Sequence, residues 1–259
     1  MPGADDLTLL TDAAREAGAI LGNHFRRGVK AWDKPDAAGP VTEADLAANA
    51  ALHARLTAAR PDYGWLSEEG PEDPGRRTAK RAFVIDPLDG TRAFIEGDKS
   101  WSLALAIVEA GQVMAAVTYL PMRDRLYAAA RGKGATLNGR ALSVSPREAV
   151  EGATVLSSRR NFEPWHWRDA QVPDMHRKFR SSMAYRLCLV AEGRCDAMLR
   201  LRPTREWDIA SGCLLVEEAG GRITDRKGTP LAFNRADPLV NGLIAGAPGL
   251  HSGLLSRLA

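Results

Sequence analysis

The segment Asp86-Pro87-Leu88-Asp89-Gly90-Thr91 carries the residues best suited to chemistry in this chain. The apolar run Ala82-Phe83-Val84-Ile85 reads as a short buried strand and delivers Asp86 at its end. Asp-Gly after such a strand is by itself a hairpin signal, which accounts for Asp89 and Gly90 but does not require Asp86. A carboxylate at the edge of a core is costly unless it is paired or bound to a metal. Asp86 and Asp89, three residues apart around a proline-stiffened turn, can converge on one hard cation. The Leu88 carbonyl between them adds an oxygen ligand of the kind Mg²⁺ takes. Gly90 leaves room for an oxyanion to approach backbone amides, and Thr91 places a hydroxyl beside the metal.

These residues need a scaffold, and its outline is legible. Leu7 to Arg27 reads as a helix, with Leu10, Ala13, Ala14, Ala17 and Leu21 at helical spacing and Gly28 as its stop. Residues 33–40 read as a loop, and a second helix runs from Glu43 to Arg60, ended by Pro61. After the strand at Ala82–Ile85, the stretch from Trp101 to Tyr127 has a β pattern with turns near 109–112 and at Pro121. Gly132, Gly134 and Gly139 then punctuate a further hairpin. The second half predicts a strand at Ala153–Leu156, an irregular loop over 160–175, a helix at Ser182–Glu192 and a strand at Ala197–Leu201. A helix at Asp208–Ala219 stops at Gly220-Gly221, followed by strands at Arg222–Thr224 and Leu243–Ala245 and a last helix near 248–258. Strands mixed with helices in both halves predict an α/β (α+β) chain of two lobes, residues 1–145 and 146–259.

Composition narrows the classes. The chain has 259 residues, 45% hydrophobic and 26% charged, which excludes disordered and low-complexity readings. A net charge of +3, dispersed along the chain, argues against a nucleic-acid polymer as partner. No apolar run is long enough to cross a membrane. The opening Met1-Pro2-Gly3-Ala4-Asp5-Asp6 lacks the basic and apolar segments of a secretory leader. Cys188, Cys195 and Cys213 have no Cys-x-x-Cys spacing and suggest neither a disulfide framework nor a zinc site, so a reducing cytoplasm is expected. His24, His53, His166, His176 and His251 are scattered and read as surface or loop residues.

The hexapeptide Asp86–Thr91 resembles the signature of the inositol monophosphatase superfamily of Mg²⁺-dependent, Li⁺-sensitive phosphatases. Further elements of that family stand in order. They are Pro40-Val41-Thr42-Glu43-Ala44-Asp45, Ser67-Glu68-Glu69, and Trp207-Asp208-Ile209-Ala210 opening a helix that ends in Glu217-Glu218-Ala219-Gly220-Gly221. Taken alone each has a plain reading: Thr42 and Asp208 as helix caps, Glu68-Glu69 as a solvated pair. The resemblance implies a layered αβαβα sandwich with the site between the lobes. It also implies two or three Mg²⁺ ions held by Glu68, Asp86, the Leu88 carbonyl, Asp89 and Asp208. Thr91, oriented by Asp45, would activate the attacking water, with Glu69 contributing nearby, and the amides of Gly90 and Thr91 would cradle the phosphate. The charges agree with this: two like charges ~4 Å apart repel by roughly 4 kcal/mol at an effective dielectric of 20, so a bare carboxylate cluster would reject a phosphate dianion. Two Mg²⁺ cancel the four carboxylates of Glu68, Asp86, Asp89 and Asp208.

Within the superfamily, the residues near Asp208 lean toward the bacterial 3'(2'),5'-bisphosphate nucleotidases. Inositol-specific members carry a Glu seven residues before the Trp-Asp aspartate; here that position is Leu201, between Arg200 and Arg202. Arg202-Pro203-Thr204, Ser181-Ser182 with Cys188–Gly193, the Ser before Glu68-Glu69, and Lys34-Pro35-Asp36 point the same way. Adenosine 3',5'-bisphosphate is therefore the leading substrate, with Arg159, Arg160, Arg200 and Arg202 as cations for its second phosphate and Ser182 as a further contact. Trp165 or Trp167 would either stack on adenine or pack its loop. Thr91-Arg92-Ala93-Phe94-Ile95-Glu96-Gly97 also resembles histidinol-phosphate phosphatases, and Gly134–Gly139 resembles inositol and fructose-bisphosphate members. Inositol-1-monophosphatase and histidinol-phosphate phosphatase are accordingly the alternatives. A non-catalytic metal- and phosphate-binding regulator is the rival of another class. A homodimer is left open.

Overall fold

The computed structural model describes residues 2–34 and 39–259; Met1, and Pro35 and Asp36 of the Lys34-Pro35-Asp36 segment, lie outside the described residues. Two helices open the chain, α1 (Pro2–Arg27) and α2 (Glu43–Ala59). Between them β1 (Ala31–Asp33) and β2 (Pro40–Thr42) pair antiparallel, so the ends of the predicted loop are a ribbon. α1 starts at Pro2 rather than Leu7, since a proline at the first position and Asp5 in the first turn both suit a helix N-terminus. Leu10, Ala13, Ala14, Ala17 and Leu21 of α1 and Ala44, Ala48, Leu52 and Leu56 of α2 form one buried surface.

That surface covers a seven-stranded sheet of β3 (Gly64–Ser67), β4 (Arg81–Asp89), β5 (Ser102–Glu109), β6 (Gln112–Leu120), β7 (Arg125–Ala130), β8 (Ala135–Leu137) and β9 (Arg140–Ala141), in that order. β3 pairs parallel with β4 and the remaining neighbours are antiparallel. A short helix, α3 (Thr91–Ile95), leads from β4 toward β5. Side chains alternate along the strands: Phe83, Ile85, Leu103, Leu105 and Val117 face α1 and α2, whereas Val84, Ala106, Val108 and Ala116 face the opposite way. β3 escapes sequence reading because all four residues are buried, which erases the alternation that marks a strand.

The second sheet contains β10 (Ala153–Ser157), β11 (Met175–Lys178), β12 (Ala197–Arg200), β14 (Arg222–Thr224) and β16 (Leu243–Gly246), ordered β11-β10-β12-β16-β14. A two-stranded piece, β13 (Thr204–Arg205) with β15 (Leu239–Val240), flanks it in sequence. The predicted irregular loop over 160–175 is a series of 3₁₀ turns running into β11. Helices α4 (Met183–Ala191) and α5 (Glu206–Glu218) fill the space between the two sheets. Leu187, Leu189, Ile209, Cys213 and Leu214 join one core with Val84 and Ala106 of the first sheet and Met198 and Ala245 of the second. α6 (Pro248–Arg257) covers the far face of the second sheet through Leu250 and Leu254. The order of layers is therefore helices, sheet, helices, sheet, helix, the αβαβα sandwich implied by the resemblance.

The middle layer depends on close helix approach. A Cβ at Gly212 would lie 2.5 Å from Leu187 Cβ and Cδ1, so α4 and α5 touch backbone to side chain there. Gly212→Val is expected to cost about 2–3 kcal/mol by overpacking and to lower Tm by roughly 2–4 °C per kcal/mol, measured by thermal denaturation. Unchanged stability would show that the α4–α5 contact has room to spare.

His251, read from sequence as a surface or loop residue, is fully buried on α6 and shares a 2.8 Å hydrogen bond with Thr224 Oγ1. The three cysteines are free and buried. Among the described residues, no helix is long and apolar enough to cross a membrane.

Candidate active site

β4 continues as a strand through the acidic segment instead of ending at Ile85, and it does so with a bulge. Asp86 pairs with Ala104 and Asp89 with Ser102, so three steps on β4 oppose two on β5. An unbulged strand would send Asp86 and Asp89 to opposite faces; the extra residue returns both to the face shared with Ala104 and Ser102. Leu88 is turned to the other side, into the core beneath α1 and α2. Gly90 follows at φ 98°, and a Cβ there would come within 3.3 Å of Ser182, so both conformation and space call for glycine.

Glu68 at the end of β3, Asp86 on β4 and Asp208 in the first turn of α5 each offer a carboxylate oxygen, and these oxygens lie within 4.8 Å of one another. Asp86 Oδ1 accepts from its own turn at Leu88 N (3.0 Å), while the buried Oδ2 has no hydrogen-bond partner. Asp208 Oδ2 accepts from Thr204 Oγ1 (2.8 Å) and Arg205 N (3.3 Å), an arrangement that ties the aspartate to the start of its helix. Asp89 stands beside this trio. Its Oδ2 accepts from Ser182 Oγ (2.7 Å) and Ala184 N (2.6 Å), at the N-terminus of α4.

Burial dominates the electrostatics. It pushes the Asp86 carboxyl well above the usual range, reinforced by Glu68, Asp89 and Asp208. Burial also lifts Asp208 to about 7, with Asp89 and Glu68 adding to it. Asp89 rises to about 6 by burial, moderated by its bonds to Ser182 and Ala184. The converging oxygens of Glu68, Asp86 and Asp208, with Asp86 keeping one buried oxygen unpartnered, are an all-oxygen donor set that could hold a hard divalent cation. The Leu88 carbonyl, on the same cavity, fits as a further donor.

Asp45 and Thr91 meet as expected. Thr42 caps α2, its N–H (2.9 Å) and hydroxyl (2.5 Å) both donating to Asp45 Oδ2, which leaves Oδ1 to accept from Thr91 Oγ1 at 3.2 Å. Thr91 Oγ1 also lies 3.2 Å from the Leu88 carbonyl. Gly90 and Thr91 line the cavity, and the first amides of α3 lack intrahelical acceptors.

Other expected residues fall elsewhere. Glu69 is outside the trio; its Oε1 takes Lys34 Nζ at 2.5 Å, and the same nitrogen lies 2.7 Å from Glu68 Oε1. Burial raises Glu69 to about 7 against the pull of Lys34. Ser182, expected at the substrate, is fully buried: its hydroxyl donates to Asp89, accepts from Tyr185 N and sits 3.0 Å from Ser102 Oγ. It holds Asp89 and caps α4 rather than facing the cleft. Trp167 is packed beside α6 with Nε1 donating to the Asn161 carbonyl, and Trp165 is exposed; neither lines the cavity. Arg159, Arg160, Arg200 and Arg202 do line it, a cleft of about 690 Å³ shared with the carboxylates. Leu201 is buried in the core on the far side of the second sheet. Sequence reading missed Arg186, which lines the same cleft; the signal was one charged residue inside the otherwise uncharged run Met183–Ala191.

A family model described as the inositol monophosphatase family matches residues 5–259. The chain belongs to the inositol monophosphatase family. It is a phosphatase of that family, whose members are metal-dependent. Among similar proteins, the Nus factor SuhB of Pseudomonas aeruginosa is 35% identical over 240 residues, covering 86% of each chain. The inositol-1-monophosphatase of Rhizobium meliloti is 34% identical over 233 residues, again covering 86% of each. In structure, the extragenic suppressor protein SuhB from Bartonella henselae superposes with a TM-score of 0.85 at 29% identity, over 97% of both chains. An inositol monophosphatase from Thermotoga maritima gives 0.82 at 28% identity, over 97% of this chain and 96% of the other. These relatives carry the names SuhB and inositol monophosphatase, not the nucleotidase name.

Proposed function

We propose that this chain is a Mg²⁺-dependent phosphomonoesterase whose preferred substrate carries a second anionic group, adenosine 3',5'-bisphosphate above inositol 1-phosphate or histidinol phosphate. The observation that carries the preference is the cleft wall. Six arginines line it against five carboxylates, and the carboxylates nearest one another are those suited to metal. With their charge cancelled by divalent cations, a strongly cationic wall remains, which favours a polyanion over a phosphate on a neutral polyol. The burial of Leu201 agrees, since the position that holds a sugar-binding Glu in inositol-specific members points here into an apolar core.

Glu68, Asp86 and Asp208, with Asp89 and the Leu88 carbonyl, would hold the Mg²⁺. When bound, the metal lowers the pKa of a water and stabilises charge on the entering and leaving oxygens. The protein's own part is orientation and proton handling. Asp45 Oδ1 accepts the Thr91 hydroxyl proton, which leaves a lone pair on Oγ1 to receive a proton from the attacking water. The Thr42 cap fixes Asp45 in that role by occupying Oδ2. The amides of Gly90 and Thr91 would receive the phosphate oxygens.

Phosphate release from the three esters, side by side in Mg²⁺ with and without Li⁺, tests the reading. The expected result is a higher kcat/KM for the bisphosphate and inhibition by Li⁺. A preference for inositol 1-phosphate would overturn the substrate assignment. Release from none of the three would favour a non-catalytic metal- and phosphate-binding regulator.

A further inference from the structure

Of the six arginines that line the cleft, Arg186 is the one that is buried. Arg186 is only 4% exposed and lies one turn inside α4. Its Nε donates to the Arg180 carbonyl at 2.6 Å and its Nη2 to the Ser181 carbonyl at 3.4 Å. Nη1 reaches the Met183 sulfur at 3.7 Å, and the guanidinium lies 4.4 Å from the centroid of the Phe179 ring. None of these partners is charged, and among the described residues Arg186 forms no ion pair. A buried guanidinium is ordinarily paired with an anion, because desolvating it alone is expensive.

A second guanidinium stands close by. The charge of Arg200, at the end of β12, opposes that of Arg186, while Asp89 and, more weakly, Asp208 favour it without coming within ion-pair distance. Its Nη2 donates to the Pro203 carbonyl at 3.1 Å, while its buried Nε has no hydrogen-bond partner. Both arginines line the cavity that contains Glu68, Asp86 and Asp208. Two guanidiniums on one cleft wall, one buried without an ion pair and the other with an unused donor, describe a receptor for a tetrahedral dianion. Arg159 and Arg202, two of the four arginines the sequence offers for the second phosphate, are exposed on the cleft wall, where water competes.

We propose that Arg186, with Arg200, binds the substrate phosphate that is not hydrolysed, and that Arg186 sets the preference for a bisphosphate. Phe179 and the carbonyls of Arg180 and Ser181 hold the fork in place, so little side-chain entropy is lost on binding. This assignment rests on the phosphatase reading of the same cleft.

The test compares wild type with Arg186→Met and Arg186→Lys on adenosine 3',5'-bisphosphate and inositol 1-phosphate. The ratio of the two kcat/KM values is expected to fall about 30-fold in Arg186→Met, through KM for the bisphosphate, as suits loss of a charged hydrogen-bond pair. Adenosine 5'-monophosphate, which offers only the retained phosphate, should lose inhibitory power by a similar factor. Arg186→Lys should recover part of both, and Arg200→Gln should shift the ratio in the same direction even if Arg186→Met does not fold. Equal losses on the two esters would overturn the proposal and leave Arg186 as a brace for the 179–181 turn. Wild-type hydrolysis of inositol phosphate but not of the bisphosphate would also overturn it, with the phosphatase reading intact. Inactivity of wild type on both would instead overturn the phosphatase reading.

Discussion

Asp86→Asn is expected to lower phosphate release by about 10³-fold or more and, in the same protein, to raise the thermal stability of the metal-free form. The two effects have one cause. Asp86 is buried with one oxygen unpartnered and with Glu68, Asp89 and Asp208 close enough to repel it. An amide of the same shape keeps an acceptor for Leu88 N but removes the charge that burial and its neighbours oppose. Relief of a buried, unpaired carboxylate is worth on the order of 1–3 kcal/mol, or roughly 2–4 °C in Tm per kcal/mol for a chain of this size. Denaturation in EDTA and a Mg²⁺-dependent phosphate assay measure both. A variant that loses activity but is less stable without metal would show that Asp86 serves mainly to shape the β4 turn. Near-normal activity would remove Asp86 from the metal site.

The second large effect is the coupling of metal, pH and stability. Asp89 at about 6, Asp208 and Glu69 at about 7, and Asp86 above its usual range all titrate higher in the folded chain than in the unfolded one. Between the unfolded value near 4 and these folded values, the native state binds more protons, so its stability falls as pH rises. In EDTA, Tm is therefore expected to be higher near pH 5 than near pH 8, with about 1.4 kcal/mol lost per unit of upward shift for each fully buried group. Mg²⁺ binds the deprotonated carboxylates, so its stabilisation should be small near pH 5 and should approach or exceed the loss near pH 8. Glu206, also raised to about 7 by burial but bonded to Asn234 N and Arg235 N away from the trio, adds a decline that metal leaves in place. A Mg²⁺ shift in Tm that is equal at both pH values would mean that the trio does not bind the ion.

The features legible in the sequence are the short-range ones. The Thr42–Asp45 cap, the helical face from Leu10 to Leu21 and the strand leading to Asp86 each depend on neighbours a few residues away. The misreadings arose where burial removed the pattern or distant partners claimed a side chain. β3 shows no alternation because both of its faces are covered. Ser182 has the chemistry of a substrate contact, yet Asp89 and the start of α4 consume its hydroxyl. His251 resembles any scattered histidine until α6 folds it onto Thr224.

By itself, then, the sequence determined the acidic segments, their order and the family the chain belongs to, because the acidic turn and its caps are short-range structures. Tertiary structure decided which groups share a space. A one-residue bulge puts Asp86 and Asp89 on one face, and the two-sheet sandwich carries Asp208 on α5 to within 4.8 Å of Glu68 and Asp86. The same packing buries Arg186 without an ion pair among the described residues and leaves Arg159 and Arg202 exposed on the cleft wall. Charge separation in the cleft follows from burial and distance, and neither quantity exists along the chain until the layers close.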